Sequence, residues 1–494
     1  MSVTELDSLD KIVSLAKARG IIFQSSDIYG GLGAVYDYGP LGVELKRNIR
    51  NHWWKTMTQK HDNIVGVDAA IFMHPKVWKA SGHVDGFNDP MIDDKQSKKR
   101  YRADMLIEGH IARLRKDGKK DEADELQRQL NTAGSREGLC EDLHRLIIDN
   151  EIRAPESGAF DWTEVRQFNL MFKTQFGATS SGDGDDAIFL RPETAQGIFV
   201  NFKNVLDTSR QQIPFGIAQI GKAFRNEVVA RQFVFRMREF EQMEMQYFVE
   251  PGTDAECYKQ WLEERLNWHK ALGIRGHKLR TEPHPTEKLA HYAAAAADIQ
   301  YEYPIGWQEV EGVHNRTDFD LTQHQEFSGK KMEYYDPSTQ KRYIPYVIET
   351  SVGLDRTVLM VLCDAYREEE VDGDSRTVLK LNPELAPTKV GIFPLIKNDK
   401  LQDLARKIEK DLRNDYTVLY DESGSIGKRY RRQDEAGTPF CITIDFDGVE
   451  AEGENTVTIR YRDDMSQDRI AVSRLREVID EKMKSWKPEP SPGK

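Results

Sequence analysis

Cysteine is scarce in this sequence: 494 residues carry only Cys140, Cys257, Cys363 and Cys441, each isolated. No pair has metal-ligand spacing, so no zinc is expected, and single thiols fit a reducing compartment. The twelve histidines are dispersed too, with no His-x-x-x-His pair. Long apolar runs are missing. None approaches the roughly 20 residues that cross a bilayer, and the start, MSVTELDSLDKIVSLAKARG, has no signal-peptide core. No membrane association is expected, nothing suggests export, and a cytoplasmic location is the expectation. Internal repeats and low-complexity segments are absent. The glycine-rich YGGLGAVYDYGPLG (29–42) lacks the Gly-Lys-Ser/Thr of a P-loop and the glycine spacing of a dinucleotide fingerprint. Its Pro40 instead starts an amphipathic helix, LGVELKRNIRNHWW, because proline is tolerated in a first helical turn.

What is present describes a globular chain of two or three domains. Hydrophobic residues make up 39% and charged residues 31%, with a formal net charge of −12. That balance argues against nucleic-acid binding over the whole surface but leaves room for local basic strips. From about 103 to 158 the chain is charged and helix-permissive, as in IARLRKDGKKDEADELQRQL, and reads as a solvated helical insertion. The acidic REEEVDGD and the two prolines of LNPELAPTK (381–389) mark a boundary, which divides the chain into 1–385 and 386–494. Beyond it, strands alternate with helices, with a final helix from about Asp468, and this predicts a small α/β unit with a mostly parallel sheet. Between 185 and 360 successive β-rich segments lack regular crossover helices, and this predicts an antiparallel sheet and an α+β fold overall.

Chemistry concentrates in five places. In KAFRNEVVARQFVFRMREFEQMEMQYF (222–248), period-2 alternation puts Arg238, Phe240, Gln242 and Glu244 on one strand face and Met243, Met245 and Tyr247 on the other. Arg225 and Glu227 share a face of the preceding strand. A ladder of surface ion pairs and a pocket for an anionic nucleotide both account for this pattern. In VIETSVGLDRTVLMVL (347–362), Glu349 and Ser351 share a face, Gly353 permits a turn, and Arg356 opens an apolar helix. A cation sits badly at a helix start unless it faces an anion. In FLRPETAQG (189–197), Glu193 is either a helix-start carboxylate or a pocket acid; in GWQEVEGV (306–313), Glu309 and Glu311 are either paired surface acids or Mg²⁺ ligands. The cluster Lys428-Arg429-Tyr430-Arg431-Arg432 is either a solvated helix face or a phosphate-binding patch.

Taken together, these segments resemble class II aminoacyl-tRNA synthetases, and within them the homodimeric glycyl-tRNA synthetases. GPLGVELKRNI looks like the family's first motif, the dimer-interface helix; FRNE through REFEQMEMQYF looks like the second, and VGLDR like the third. RPETAQGIFVNF and WKASGHVDGFND are similar to the glycyl branch in particular, and the C-terminal unit to an anticodon-binding domain. The resemblance implies a ligase that joins glycine and ATP into glycyl-adenylate and passes glycine to the 3′ end of tRNA(Gly). It assigns ATP to Arg225, Asn226, Glu227, Phe235, Arg238, Phe240, Glu309, Val310, Gly353 and Arg356. Of these, Arg225, Arg356 and Glu309 would be catalytic, and Glu309 would face Mg²⁺. It assigns glycine to Arg102, Glu193, Phe240, Gln242, Glu244, Glu349, Ser351 and Gly353, and tRNA to Arg429, Arg431 and Arg432. A non-catalytic relative of this fold would be free to lose Arg225, Arg356, Glu193, Glu349 and Ser351; all five are present.

Overall fold

The computed structural model describes residues 3–133, 138–175, 187–228, 232–285, 289–290, 292–371, 373–450 and 453–489. The alternating segments of the middle region pair into one sheet made of β1 (Ile64–Gly66), β2 (Phe215–Phe224), β3 (Glu239–Val249), β4 (Leu279–Pro283), β5 (Ala295–Tyr303), β6 (Gly306–Thr317) and β7 (Tyr346–Gly353). The strand order is β4-β5-β6-β7-β3-β2-β1. Every neighbouring pair is antiparallel except β1 with β2, as the lack of crossover helices predicts.

One face of this sheet is apolar. Met243 and Met245 of β3, Val313 of β6, and Ile348 and Val352 of β7 meet three helices: α1 (Pro40–Thr58), α2 (Asp254–Ala271) and α3 (Leu354–Ala365). The helices contribute Leu45, Ile49 and Trp53, then Trp261 and Trp268, then Val358, Leu359 and Leu362. Each such side chain stabilises by roughly 1.5–3 kcal/mol when fully buried. Pro40 occupies the first turn of α1, as expected, and Gly42 lets that helix press on the backbone at Ile21: a Cβ there would lie 1.8 Å from the Ile21 carbonyl oxygen. In α3 every residue is buried except Arg356, so the core fixes the helix and leaves this cation to face outward. The other sheet face is covered at one end by the helices Ala195–Val200, Phe202–Ser209 and Phe319–Ser328, packed on Phe199, Phe202, Phe215 and Phe248.

The charged stretch is more than a solvated helical insertion. Strands Asn88–Asp93, Arg100–Arg102 and Arg166–Asn169 form its base, and three helices over 103–149 enclose a core of Ile107, Ile111, Leu126, Leu143, Ile147 and Trp162. The reason lies in Ala123, Leu126, Leu130 and Ala133: their helical spacing makes one apolar stripe in a sequence dominated by charge.

The acidic run before the boundary is itself part of a hairpin. Tyr366–Val371 pairs with Asp374–Leu379, and Arg376 joins Glu369 to Asp434 (Nε–Oδ2 2.9 Å), so neutralised charges tie the two halves together. The C-terminal unit has strands β8 (Val390–Pro394), β9 (Val418–Tyr420), β10 (Phe440–Ile444), β11 (Thr456–Tyr461) and β12 (Gln467–Ala471) in the order β9-β8-β10-β11-β12. The first three are parallel and the last two antiparallel. Residue 468 therefore lies in a strand, and the last helix begins at Leu475. Asp464 explains the difference: its carboxylate takes the Ser466 N–H (2.9 Å) and hydroxyl (2.7 Å), closing a turn that sends the chain back as β12.

Candidate active site

Three central strands place their polar residues side by side. Gln242, Glu244 and Gln246 of β3 stand opposite Gly353, Ser351 and Glu349 of β7, and Gly312 and His314 of β6 oppose Ser351 and Glu349. Because neighbours across a sheet share a face, this register makes a polar patch on the face away from the helices. It is the floor of a cavity of about 250 Å³, walled by Glu193, Arg225, Glu227, Phe235, Phe240, Val310 and Arg356. Glu309 stands at its mouth with its side chain about half exposed (48%).

The cavity is acidic at one end. Glu193, Glu244 and Glu349 converge there with Arg316 and Tyr292. Gln246 Nε2 donates to Glu244 (3.0 Å) and to Glu349 (2.7 Å), His314 Nδ1 lies 2.8 Å from Glu349, and Arg316 bridges Glu349 (3.1 Å) to Asp320 (2.7 and 3.0 Å). Burial acts to raise Glu349, but Arg316 and His314 outweigh it and hold the carboxyl below the ordinary range. Burial acts to raise Glu193 as well, but His83 and Arg316 outweigh it and bring the group to about 2. Glu244 goes the other way. Burial, then the charges of Glu349 and Glu193, push it well above a carboxylate's usual value. Thr194 donates its hydroxyl to this group. The Oε1 atoms of Gln242 and Gln246 are buried without a hydrogen-bond partner. Such acceptors are costly unless a donor arrives.

The other end is cationic. Arg225 lies between the rings of Phe87 and Phe240, each 5.3 Å from its guanidinium carbon, and donates to the Pro192 carbonyl (3.0 Å). Arg356 stacks on Phe235 (4.5 Å), donates to its carbonyl (3.1 Å) and pairs with Glu309 (3.3 Å). Beside it, Asp355 accepts from Tyr38 (2.6 Å), from Lys46 of α1 (2.7 Å) and from the Glu241 N–H (2.7 Å), which locks the start of α3 to α1.

The structure thus brings together Glu193, Arg225, Glu227, Phe235, Phe240, Gln242, Glu244, Glu309, Val310, Glu349, Ser351, Gly353 and Arg356. Four expected positions stand elsewhere. Arg238 precedes β3, so strand alternation does not reach it; its side chain is taken by the carbonyls of Glu227 (3.0 Å) and Gly33 (3.4 Å). Asn226 gives its N–H to the Leu170 carbonyl (2.7 Å) outside the cavity wall. Arg102 pairs with Asp104 (2.6 Å) and Asp89 (3.1 Å) at the base of the insertion. Glu311 is not a metal ligand. A bulge, at which Glu309 faces Gln300 and Glu311 faces Ile299, inverts the alternation of β6. Glu311 therefore points into the core, against Arg265 (2.5 Å) and His269 (2.7 Å) of α2. Gly353 makes no turn; its backbone is extended and β7 runs directly into α3. Arg236, Tyr292, His314 and Arg316 line the cavity without having been expected, although the period-2 array Gly312-His314-Arg316 on β6 was a usable signal.

The C-terminal cationic cluster is also revised. Arg429 is buried (2%), its guanidinium given to the carbonyls of Pro394 (2.5 Å), Gly424 (2.8 Å) and Glu422 (3.3 Å). Arg431 pairs with Asp374 (3.0 Å) and Arg432 with Asp421 (2.5 Å), the first on the surface and the second partly covered. The helix is thus anchored by Arg429 and carries no open row of three cations.

Residues 172–365 match the tRNA synthetase class II core domain (G, H, P, S and T), 389–482 match an anticodon binding domain, and 89–125 with 118–170 match glycyl-tRNA synthetase insertion domain 1. A prolyl-tRNA synthetase from Cryptosporidium parvum shares the fold at a TM-score of 0.59 and 14% identity, over 96% of this chain and 74% of that one. Glycine–tRNA ligases are much nearer in sequence. That of Chlorobaculum tepidum is 56% identical over 96% of this chain and 100% of its own, and that of Treponema denticola is 50% identical over 97% and 98%. With this identity over nearly the full length of both chains, the protein belongs to the glycine–tRNA ligase family of class II aminoacyl-tRNA synthetases.

Proposed function

We propose that the cavity joins glycine to ATP and that glycine then passes to tRNA(Gly). The opposite polarity of the two ends carries this reading: acids and orphaned amide oxygens at one, arginines on aromatic plates at the other. Glu193, Glu349 and the Gln242 oxygen suit an ammonium donor. Phe240 and Glu227 suit an adenine, one as a stacking plate and the other as an acceptor, and Arg225 and Arg356 suit phosphate oxygens. A glycine carboxylate oxygen attacks the α-phosphorus, the α–β bridging P–O bond breaks, and pyrophosphate leaves. The terminal ribose hydroxyl of the tRNA then attacks the adenylate carbonyl and AMP leaves. Both anions approach in a field of fixed guanidinium groups, so preorganised charge and positioning supply the acceleration.

Magnesium binds with few protein ligands and through substrate phosphates, and the lone Glu309 at the cavity mouth fits that role as it stands beside Arg356. When bound, the ion neutralises phosphate charge. Among the described residues no group of three or more His, Cys, Asp or Glu is placed to hold a metal by itself. For tRNA, Leu395, Ile396 and Phe446 are exposed just beyond the carboxyl ends of β8 and β10, where open α/β sheets bind ligands, with Arg431 and Arg432 on the nearby helix. A homodimer is supported by an apolar patch in the segment before α1, exposed Ile28 (89%), Tyr29 (86%) and Leu32, beside the Gly33 and Ala34 carbonyls that hold Arg238. Among the described residues no helix is long and apolar enough to cross a membrane; a cytoplasmic site of action completes the reading. The test is charging of tRNA(Gly) with labelled glycine, ATP and Mg²⁺. Arg356→Ala should abolish charging with the melting temperature unchanged, whereas charging that survives would refute the phosphate role.

A further inference from the structure

Two side chains of the segment Trp78–Phe87 touch the cavity's charged groups. His83 presents Nε2 to the Glu193 carboxylate at 3.3 Å, and its Nδ1 lies 2.8 Å from the Ser81 hydroxyl. The ring is fixed between Trp78, edge to face at 5.6 Å, and Phe87 at 5.3 Å. Phe87 in turn faces the Arg225 guanidinium. Gly82, with φ +76°, supplies the turn that swings His83 inward, in a conformation that side chains rarely adopt.

We propose that His83 is a positioning residue for glycine: it donates Nε2–H to Glu193 and holds that carboxylate at the angle that receives the ammonium group. This rests on the reading of the acidic end as the glycine pocket. Glu193 has a second fixed partner on its other oxygen, Gln196 Nε2, which donates at 3.0 Å, so each carboxylate oxygen is held by one contact. With one removed, a carboxylate just outside a short helix turns about its side-chain torsions. The depressed pKa of Glu193, to which His83 is the leading counterweight to burial, agrees with that contact.

The same segment also anchors the insertion. Phe87 leads directly into the Asn88–Asp93 strand, its carbonyl accepts the Leu170 N–H (3.0 Å), and Asn169 Nδ2 reaches the Val84 carbonyl (3.1 Å). The Leu170 carbonyl then accepts from the Asn226 N–H (2.7 Å). Entry and exit of the insertion therefore meet at the residues that brace Glu193 and Arg225.

The experiment is steady-state pyrophosphate exchange on the full-length protein with glycine and ATP varied separately. His83→Ala should raise the glycine KM by about 10–100-fold, the loss expected for a hydrogen bond to a charged group, with the ATP KM within about threefold of wild type. His83→Gln, which keeps a donor near the Nε2 position, should recover most of the loss. Ser81→Ala should give a smaller effect in the same direction. An unchanged glycine KM in His83→Ala, or equal rises in both KM values with a lowered melting temperature, would overturn the proposal. If His83→Ala does not fold, His83→Gln and Ser81→Ala decide it, and a glycine KM as high in His83→Gln as in a Glu193→Gln control refutes it. Wild-type protein that shows no glycine-dependent exchange would instead refute the pocket assignment itself.

Discussion

Glu311→Gln separates a structural carboxylate from the proposed Mg²⁺ ligand two residues away, Glu309. Glu311 is fully buried, as are Arg265 and His269, which contact it at 2.5 and 2.7 Å. Burial lowers the pKa of His269 despite the carboxylate, so the imidazole is a neutral donor, and Arg265 and Glu311 are the charges that cancel. Removing the negative charge leaves a guanidinium uncompensated in the core. Breaking a buried pair from one side costs about 3–5 kcal/mol, against a total stability of about 5–15 kcal/mol for a typical domain. Urea unfolding followed by circular dichroism should therefore show a large fall in midpoint for Glu311→Gln, with the Mg²⁺ dependence of exchange unchanged in the protein that remains folded. Glu309→Gln should do the reverse. Its half-exposed pair with Arg356 is worth roughly 0–1 kcal/mol, so stability should hardly change while the Mg²⁺ requirement rises. An unchanged midpoint together with a raised Mg²⁺ requirement in Glu311→Gln would refute the placement of these two acids on opposite faces.

Three other outcomes follow from particular contacts. Glu244 is raised above its unfolded value of about 4.3. Its contribution to stability is therefore complete below that pH and is lost as pH rises through the folded pKa. Glu244→Gln should then melt higher than wild type at alkaline pH with the gap narrowing toward about pH 5, and a gap that widens on acidification would contradict this. Arg429→Ala should cost about 2 kcal/mol or more, because it strips donors from three backbone carbonyls at a buried position. Arg431→Ala with Arg432→Ala should be mild in stability and weaken tRNA binding in a filter assay, and equal destabilisation by both changes would count against the division.

The parts of the site legible in the sequence were those carried by regular alternation. Gln242 with Glu244, and Glu349 with Ser351, sit on uninterrupted strands, and their common face could be read from period 2. Arg356 was legible because an apolar helix needs a reason to keep a cation. Alternation failed where the strand was interrupted: at the bulge that separates Glu309 from Glu311, and before Glu239, where Arg238 falls in a loop. Arg429 was misread because a cation in a basic run looks solvated until three carbonyls around it are located, and those come from chain segments as far away as Pro394. The antiparallel sheet could be read; the insertion's core could not, because four apolar residues at helical spacing are outnumbered by charge.

Glycine-dependent exchange of labelled pyrophosphate into ATP tests the central claim most directly, since it reports adenylate formation without tRNA. Exchange should appear with glycine and stay near background with alanine. No exchange with glycine, or equal exchange with alanine, would contradict the assignment of this cavity.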